Sequence, residues 1–168
     1  MDVSEAIRSR RSIRRYKAGV KIPKEHFEQI LEAAMMAPSG CNMRPWEFAV
    51  VEDREILSEI MQIHPYANML HTASAAIIVC GFPQEESSPA AGLWPQDCGA
   101  SAAYILLEAK GLGYGTCWCG VYPNEDRVEA LKNIVDTEGI PFCIIAIGVP
   151  NEDPAPRGKY DPKKVKFM

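Results

Sequence analysis

Two apolar runs, Ala75 to Cys80 and Phe142 to Val149, show no alternation of polar and apolar residues. A strand with one wet face alternates with period two, so strands without alternation must be covered on both faces. The chain therefore has to build a sheet between helical layers, and the rest of the sequence has to supply the helices. Its 168 residues fit one domain, and chains of about 150 residues bury roughly 70% of their unfolded surface without staples.

The helices are legible from caps and apolar spacing. Asp2 and Glu5 form a capping-box-like start to a short helix carrying Val3, Ala6 and Ile7. A second begins near Pro23, with Phe27, Ile30, Leu31 and Ala34 on one face, and stops at Pro38-Ser39-Gly40. Glu47 to Val51 reads as a strand; Asp53 then caps a helix with Ile56, Leu57, Ile60 and Met61 inward, broken at Pro65. Phe82 to Pro95 is long enough for a lid or cap. The helix expected from Asp97 carries almost no charge until Glu108, which suits the core or an interface. Asn124 caps a last helix with Val128, Leu131 and Ile134.

Gly111-Leu112-Gly113-Tyr114-Gly115 is not a dinucleotide-binding loop, because its glycines follow a helix instead of a strand. They read as a helix stop and a close approach of backbone to something flat. Residues 150–168, rich in proline and lysine, are expected to be disordered or to lie extended over another surface, and no repeat or second domain is visible.

A formal charge of -4 argues against nucleic acid as the main partner. No apolar run reaches the roughly 20 residues of a membrane span, and the N-terminus has no signal-peptide core, so a cytoplasmic location is expected. The six cysteines are expected to be reduced, buried or half-buried thiols. Cys117-Trp118-Cys119 lacks the two-residue gap of a redox motif and a second pair at zinc-ligand spacing. His26, His64 and His71 are scattered, and no metal site is expected.

Two polar clusters carry the chemistry. Arg10-Arg11-Ser12-Ile13-Arg14-Arg15-Tyr16 concentrates guanidinium forks and a hydroxyl, which suit a phosphate and the polar edge of a ring that gains negative charge. At the C-terminal end of a helix, the same run also serves as a solvated cationic cap, the simpler reading of the run alone. One helix later, Pro38-Ser39-Gly40-Cys41-Asn42-Met43-Arg44-Pro45-Trp46 supplies a turn of small polar groups.

Taken in order, Arg10-Arg11-Ser12-Ile13-Arg14, Ala37 to Asn42 with Pro45-Trp46-Glu47-Phe48, and Gly111-Leu112-Gly113 leading to Cys117-Trp118 resemble the FMN-dependent nitroreductase family over nearly the whole chain. The resemblance implies an α+β, three-layer α/β/α fold on a mixed, mostly antiparallel sheet, in an intertwined homodimer with FMN at the interface. It implies NAD(P)H-dependent reduction of nitroaromatics, quinones or other flat small-molecule acceptors by a ping-pong route. Arg10 then resembles the phosphate-binding arginine, with Arg11 beside it, Ser12 a ribityl contact, and Arg14 the cation at the pyrimidine edge of the flavin. Pro38, Ser39, Gly40 and Asn42 resemble the turn packed on the flavin from the partner subunit. The backbone of Trp118, Cys119 and Gly120 resembles the segment facing N5 or O4, and Asn68 sits near a polar contact at the ring edge. Arg157 and Lys159 resemble a basic pair reaching the phosphate. Arg44 stands where many relatives have glutamine. A flavin carrier or sensor without turnover, another flavin chemistry such as reductive dehalogenation, and a basic-arm interaction module stay open.

Overall fold

A computed structural model describes residues 1–155, 157–158 and 160–168. Its sheet contains β1 (Trp46–Val51), β2 (Ala75–Gly81), β3 (Gly115–Gly120) and β4 (Ile140–Gly148) in the order β1-β2-β4-β3. Every adjacent pair of these strands is antiparallel. The two non-alternating runs occupy the central positions, where β2 is buried along its whole length.

Five helices cover the two faces: α1 (Val3–Ser9), α2 (Lys24–Met35), α3 (Arg54–Ile63), α4 (Trp94–Gly111) and α5 (Glu125–Val135). On one face Leu57 and Ile60 of α3 and Leu131 of α5 pack with Ile78, Ile144 and Ala146. On the other, Phe27 and Ile30 of α2 and Cys98 and Ile105 of α4 pack with Ile77, Val79, Ile145 and Ile147. Successive residues of β2 and β4 thus feed two separate cores, which is why neither run alternates. Fully burying one such aliphatic side chain contributes about 1.5–3 kcal/mol.

The expected caps are in place. The side chains of Asp2, Asp53 and Asn124 accept from the amides of Glu5, of Glu55 and Ile56, and of Arg127 respectively. One helix start and one whole strand differ from the sequence reading beyond shifts of a few residues. Helix α4 starts at Trp94 instead of Asp97, because Pro95 fits its first turn and the Trp94 ring fills the core at 5% exposure. Strand β3 was not read from the sequence at all. Its six residues, GTCWCG, include two glycines, and what makes them a strand is pairing with β4. Gly113, with φ +88°, makes the left-handed turn that stops α4 before β3 begins.

The segment before α4 is anchored. Ala90 is fully buried, Leu93 closes over Gly40, and Trp94 covers Gly81 and meets Tyr122 and Phe142 edge to face. Among the described residues no helix is long and apolar enough to cross a membrane.

Gly115 opens β3 beneath Ile13. A methyl group there would lie 2.7, 2.8 and 3.0 Å from three atoms of the Ile13 side chain. Gly115→Ala is expected to destabilise the fold by about 1–3 kcal/mol through overpacking, read as a lower midpoint in urea unfolding.

Candidate functional site

The cationic run is held along the outer edge of β3. Ser12 pairs with Thr116 in a parallel bridge, and the Ile13 amide donates to the Thr116 carbonyl at 2.9 Å. Tyr16, 3% exposed, donates its hydroxyl to the Ile13 carbonyl at 2.7 Å. Burial raises its pKa well above the ordinary phenol value, so it stays a donor.

The chain leaving β4 holds the run from its other flank. Tyr16 bridges Pro150; the Lys17 amide donates to Val149, and the Asn151 amide to Arg15. The Glu152 carboxylate accepts from the amides of Arg14 and Arg15. Arg11 donates to the Ala155 carbonyl at 3.4 Å. The first part of the tail thus runs along the arginine run of its own chain.

With the backbone so occupied, the side chains build two adjoining concavities. Arg10, Arg11, Ser12 and Arg14 line one of about 440 Å³, together with Glu152 and Arg157. Arg14 also belongs to the second, an open groove of about 760 Å³. That groove is lined by Arg15, His64, Tyr66, Asn68, Met69, Thr72 and residues 117–120 of β3. The structure therefore brings together Arg10, Arg11, Ser12, Arg14 and Arg157 in one pocket. It brings Arg14, Asn68, Trp118, Cys119 and Gly120 together in the other. Lys159 lies outside the described residues.

Three features in or beside the groove were missed in the sequence. His64, 1% exposed, bonds the Gly120 carbonyl through Nε2 at 2.8 Å, while its Nδ1 accepts from the Tyr66 amide at 3.3 Å. Both ring nitrogens are used, so it fixes the end of β3 instead of acting as a ligand. Arg54, outside the groove, steadies the chain beside it by donating to the carbonyls of Leu70, His71 and Ala73. Arg15, part of the arginine run but given no role by the resemblance, also lines the groove. Nothing local in the sequence marks His64 or Arg54; the adjacency of Arg15 to Arg14 is the one available signal.

Within β3 the side chains alternate. The Trp118 ring packs edge to face on Phe142 in the α2/α4 core, while Cys117 and Cys119 belong to the opposite core. Trp118 thus faces away from its two neighbours. Five of the six free cysteines are buried as expected, and Cys41 is exposed.

Pro38, Ser39, Gly40 and Asn42 are elsewhere. They lead into β1, at the opposite edge of the sheet from β3, three strand spacings or about 14 Å away. The turn is tightly specified. Asp97, 3% exposed, accepts from the Gly40 amide, and Ser39 Oγ accepts from the Arg44 amide. Cys41, Asn42 and Arg44 all have φ between 50° and 55°, in the left-handed region that non-glycine residues seldom occupy. Arg44 Nε donates to Asn42 Oδ1, so this arginine serves the turn. The Phe82 to Pro95 segment, expected as a lid, contributes no residue to the groove or to the cationic pocket.

Comparison with known proteins bears on the chain's family and fold. The family model described as Nitroreductase family matches residues 7–149. A protein of Methanothermobacter thermautotrophicus, provisionally named NADH dehydrogenase/NAD(P)H nitroreductase, is 46% identical over 167 residues, spanning 98% of this chain and 86% of the relative. An FMN-dependent nitroreductase from Clostridium difficile superposes with a TM-score of 0.85 at 32% identity, covering 98% of each chain. A provisionally named nitroreductase of Exiguobacterium sibiricum, solved in complex with FMN, superposes with a TM-score of 0.83 at 26% identity, covering 100% of this chain and 97% of its own.

Glu152 is the fastener between the arginine run and the chain beyond β4. Removing its two charge-assisted acceptor bonds in Glu152→Ala is expected to cost about 1 kcal/mol, discounted for partial exposure. Amide hydrogen exchange should speed up at Arg14 and Arg15, the observation that assigns the loss to this contact.

Proposed function

The chain belongs to the nitroreductase family, and on that premise we propose that it is an FMN-dependent oxidoreductase using NAD(P)H to reduce nitroaromatics, quinones or similar flat acceptors. The observation that carries this reading is the pair of concavities sharing Arg14. Four arginines and a hydroxyl in one pocket fit a phosphate and its ribityl chain, since planar guanidinium forks match phosphate oxygens. The adjoining groove, within the usual size of a small-molecule site, fits a flat ring system. The donor set therefore suits FMN.

When bound, FMN supplies the two-electron chemistry, so no nucleophile or general base is required of the chain. Arg10, Arg11 and Arg157 hold the phosphate, and Ser12 meets the ribityl chain. Arg14 offers positive charge at the ring's pyrimidine edge, favouring the charge that reduction adds. The backbone of Trp118, Cys119 and Gly120, steadied by His64, faces the ring, and Asn68 contributes a polar group. The groove admits reductant and acceptor in turn, a ping-pong order in which the chain's part is orientation.

The turn containing Pro38, Ser39, Gly40 and Asn42 completes the site from a second copy. Its distance from Arg10 across the sheet supports this, as does an exposed apolar strip: Val3 is 72% exposed and Ile7 56% exposed, beside Tyr104 and Leu107 in a cavity of about 460 Å³. Such a strip suits a homodimer interface.

The purified protein is expected to show the absorption bands of oxidised flavin and to release FMN, not FAD, on denaturation. A colourless protein that takes up no added FMN overturns the reading. The shared site is tested by co-refolding. Arg10→Ala and Asn42→Ala homodimers each carry two damaged sites, whereas a heterodimer carries both lesions in one site and none in the other. Random pairing makes about half the dimers heterodimers, so roughly a quarter of all sites should be intact. Activity equal to the average of the two mutants would place both residues in one chain's site.

A further inference from the structure

The flavin reading uses the backbone of Cys119 and gives the side chains of Cys117 and Cys119 no role, yet the two thiols form an unusual arrangement. Two residues apart on β3, both side chains emerge on the same face of the sheet. The two thiols lie close enough to shift each other's protonation, and Cys119 donates its S–H to the Tyr66 carbonyl at 3.3 Å. Both residues line the open groove, at 3% and 5% exposure. We propose that Cys117 and Cys119 form a dithiol site that chelates a soft trivalent centre, arsenic(III) carrying two exchangeable oxygens.

The geometry selects this class of ligand over its rivals. Same-face neighbours on one strand have Cα atoms about 6.6 Å apart, near the long limit of about 6.8 Å for a direct disulfide. Inserting one atom between the sulfurs lengthens the bridge and relieves that mismatch. A linear two-coordinate ion needs its sulfurs on opposite sides, unlike two thiols already side by side. Zinc needs four ligands; among the described residues no group of three or more His, Cys, Asp or Glu is placed to hold a metal ion. His64 has both nitrogens engaged. Two sulfurs and an open groove for the third substituent match a pyramidal trivalent centre.

The protonation of the pair favours capture. The neighbouring Cys119 thiol lowers the pKa of Cys117, with Arg14 and Arg10 assisting against burial and Glu152, while Cys117 and burial raise that of Cys119. The Cys117 thiolate attacks first, since the thiolate is the nucleophile. In the whole reaction two As–O bonds break and two As–S bonds form. The two oxygens leave as water with the thiol protons, arsenic stays trivalent, and no electrons are transferred.

The test uses phenylarsine oxide on the protein as purified and again after any bound flavin is removed. The result expected is one phenylarsenic per chain by intact mass once any bound flavin is removed, because the flavin ring and the third substituent compete for the same groove. On unfolding with iodoacetamide, Cys117 and Cys119 should be shielded and the other four cysteines alkylated. The adduct should survive excess glutathione and be stripped by ethanedithiol, because losing the second sulfur weakens a chelate by roughly a hundredfold or more. Cys117→Ser and Cys119→Ser, checked for folding by circular dichroism, should each lose the glutathione-resistant adduct, and Cys41→Ser should keep it. No adduct once any bound flavin is removed, an adduct mapped to Cys41, or one that glutathione removes overturns the proposal. The site rests on its thiols alone, so a colourless protein that still gives the adduct refutes the flavin reading and leaves this one standing.

Discussion

The outer edge of β3 is the constraint on which the site depends. An unpaired strand edge presents a row of free amides and carbonyls, a liability that folds usually cover. Here the cover is the arginine run itself, joined by the Ser12–Thr116 bridge and the Ile13 amide. Covering the edge and building the cationic pocket are one structural act. The run's own outer flank is closed in turn by Asn151 and Glu152, so the chain after β4 completes what the chain before α2 begins.

Around that edge, the layered fold follows from burial alone. Helices must cover both faces of β2 and β4, and the fifteen or so residues of α4 that lack charge give the tightest such cover. Ser101 of α4 donates to the Ala34 carbonyl of α2 at 3.0 Å, satisfying a hydroxyl that would otherwise be stranded between two helices. The groove lies on the other face, where α3 and the 3-10 turn Asn68–His71 leave the end of β3 open.

Much of this was legible in the sequence because the signals were local. Capping side chains at Asp2, Asp53 and Asn124, and apolar spacing from Phe27 to Ala34, needed no knowledge of the fold. What was illegible depended on distant partners. Strand β3 has too little β-branched or aromatic content to declare itself and exists through β4. His64 acquires its role from Gly120, fifty-six residues away. The candidate site residues come from resemblance to a family pattern. Their division into two groups, one at each edge of the sheet, is a property of strand order, which no run of residues encodes. The length of the Phe82 to Pro95 segment suggests freedom, while Ala90 and Trp94 pin its C-terminal end to the core.

The alternation along β3 has an evolutionary consequence. Cys117, Trp118 and Cys119 are covalent neighbours, yet the tryptophan's energetics are tied to Phe142 and the thiols' to the opposite core. Effects of substitutions combine additively when residues share no packing partners. Selection can therefore revise the groove's chemistry at the two thiols while the hidden tryptophan drifts under a different set of pressures. A three-residue stretch of chain thus answers to two separate cores.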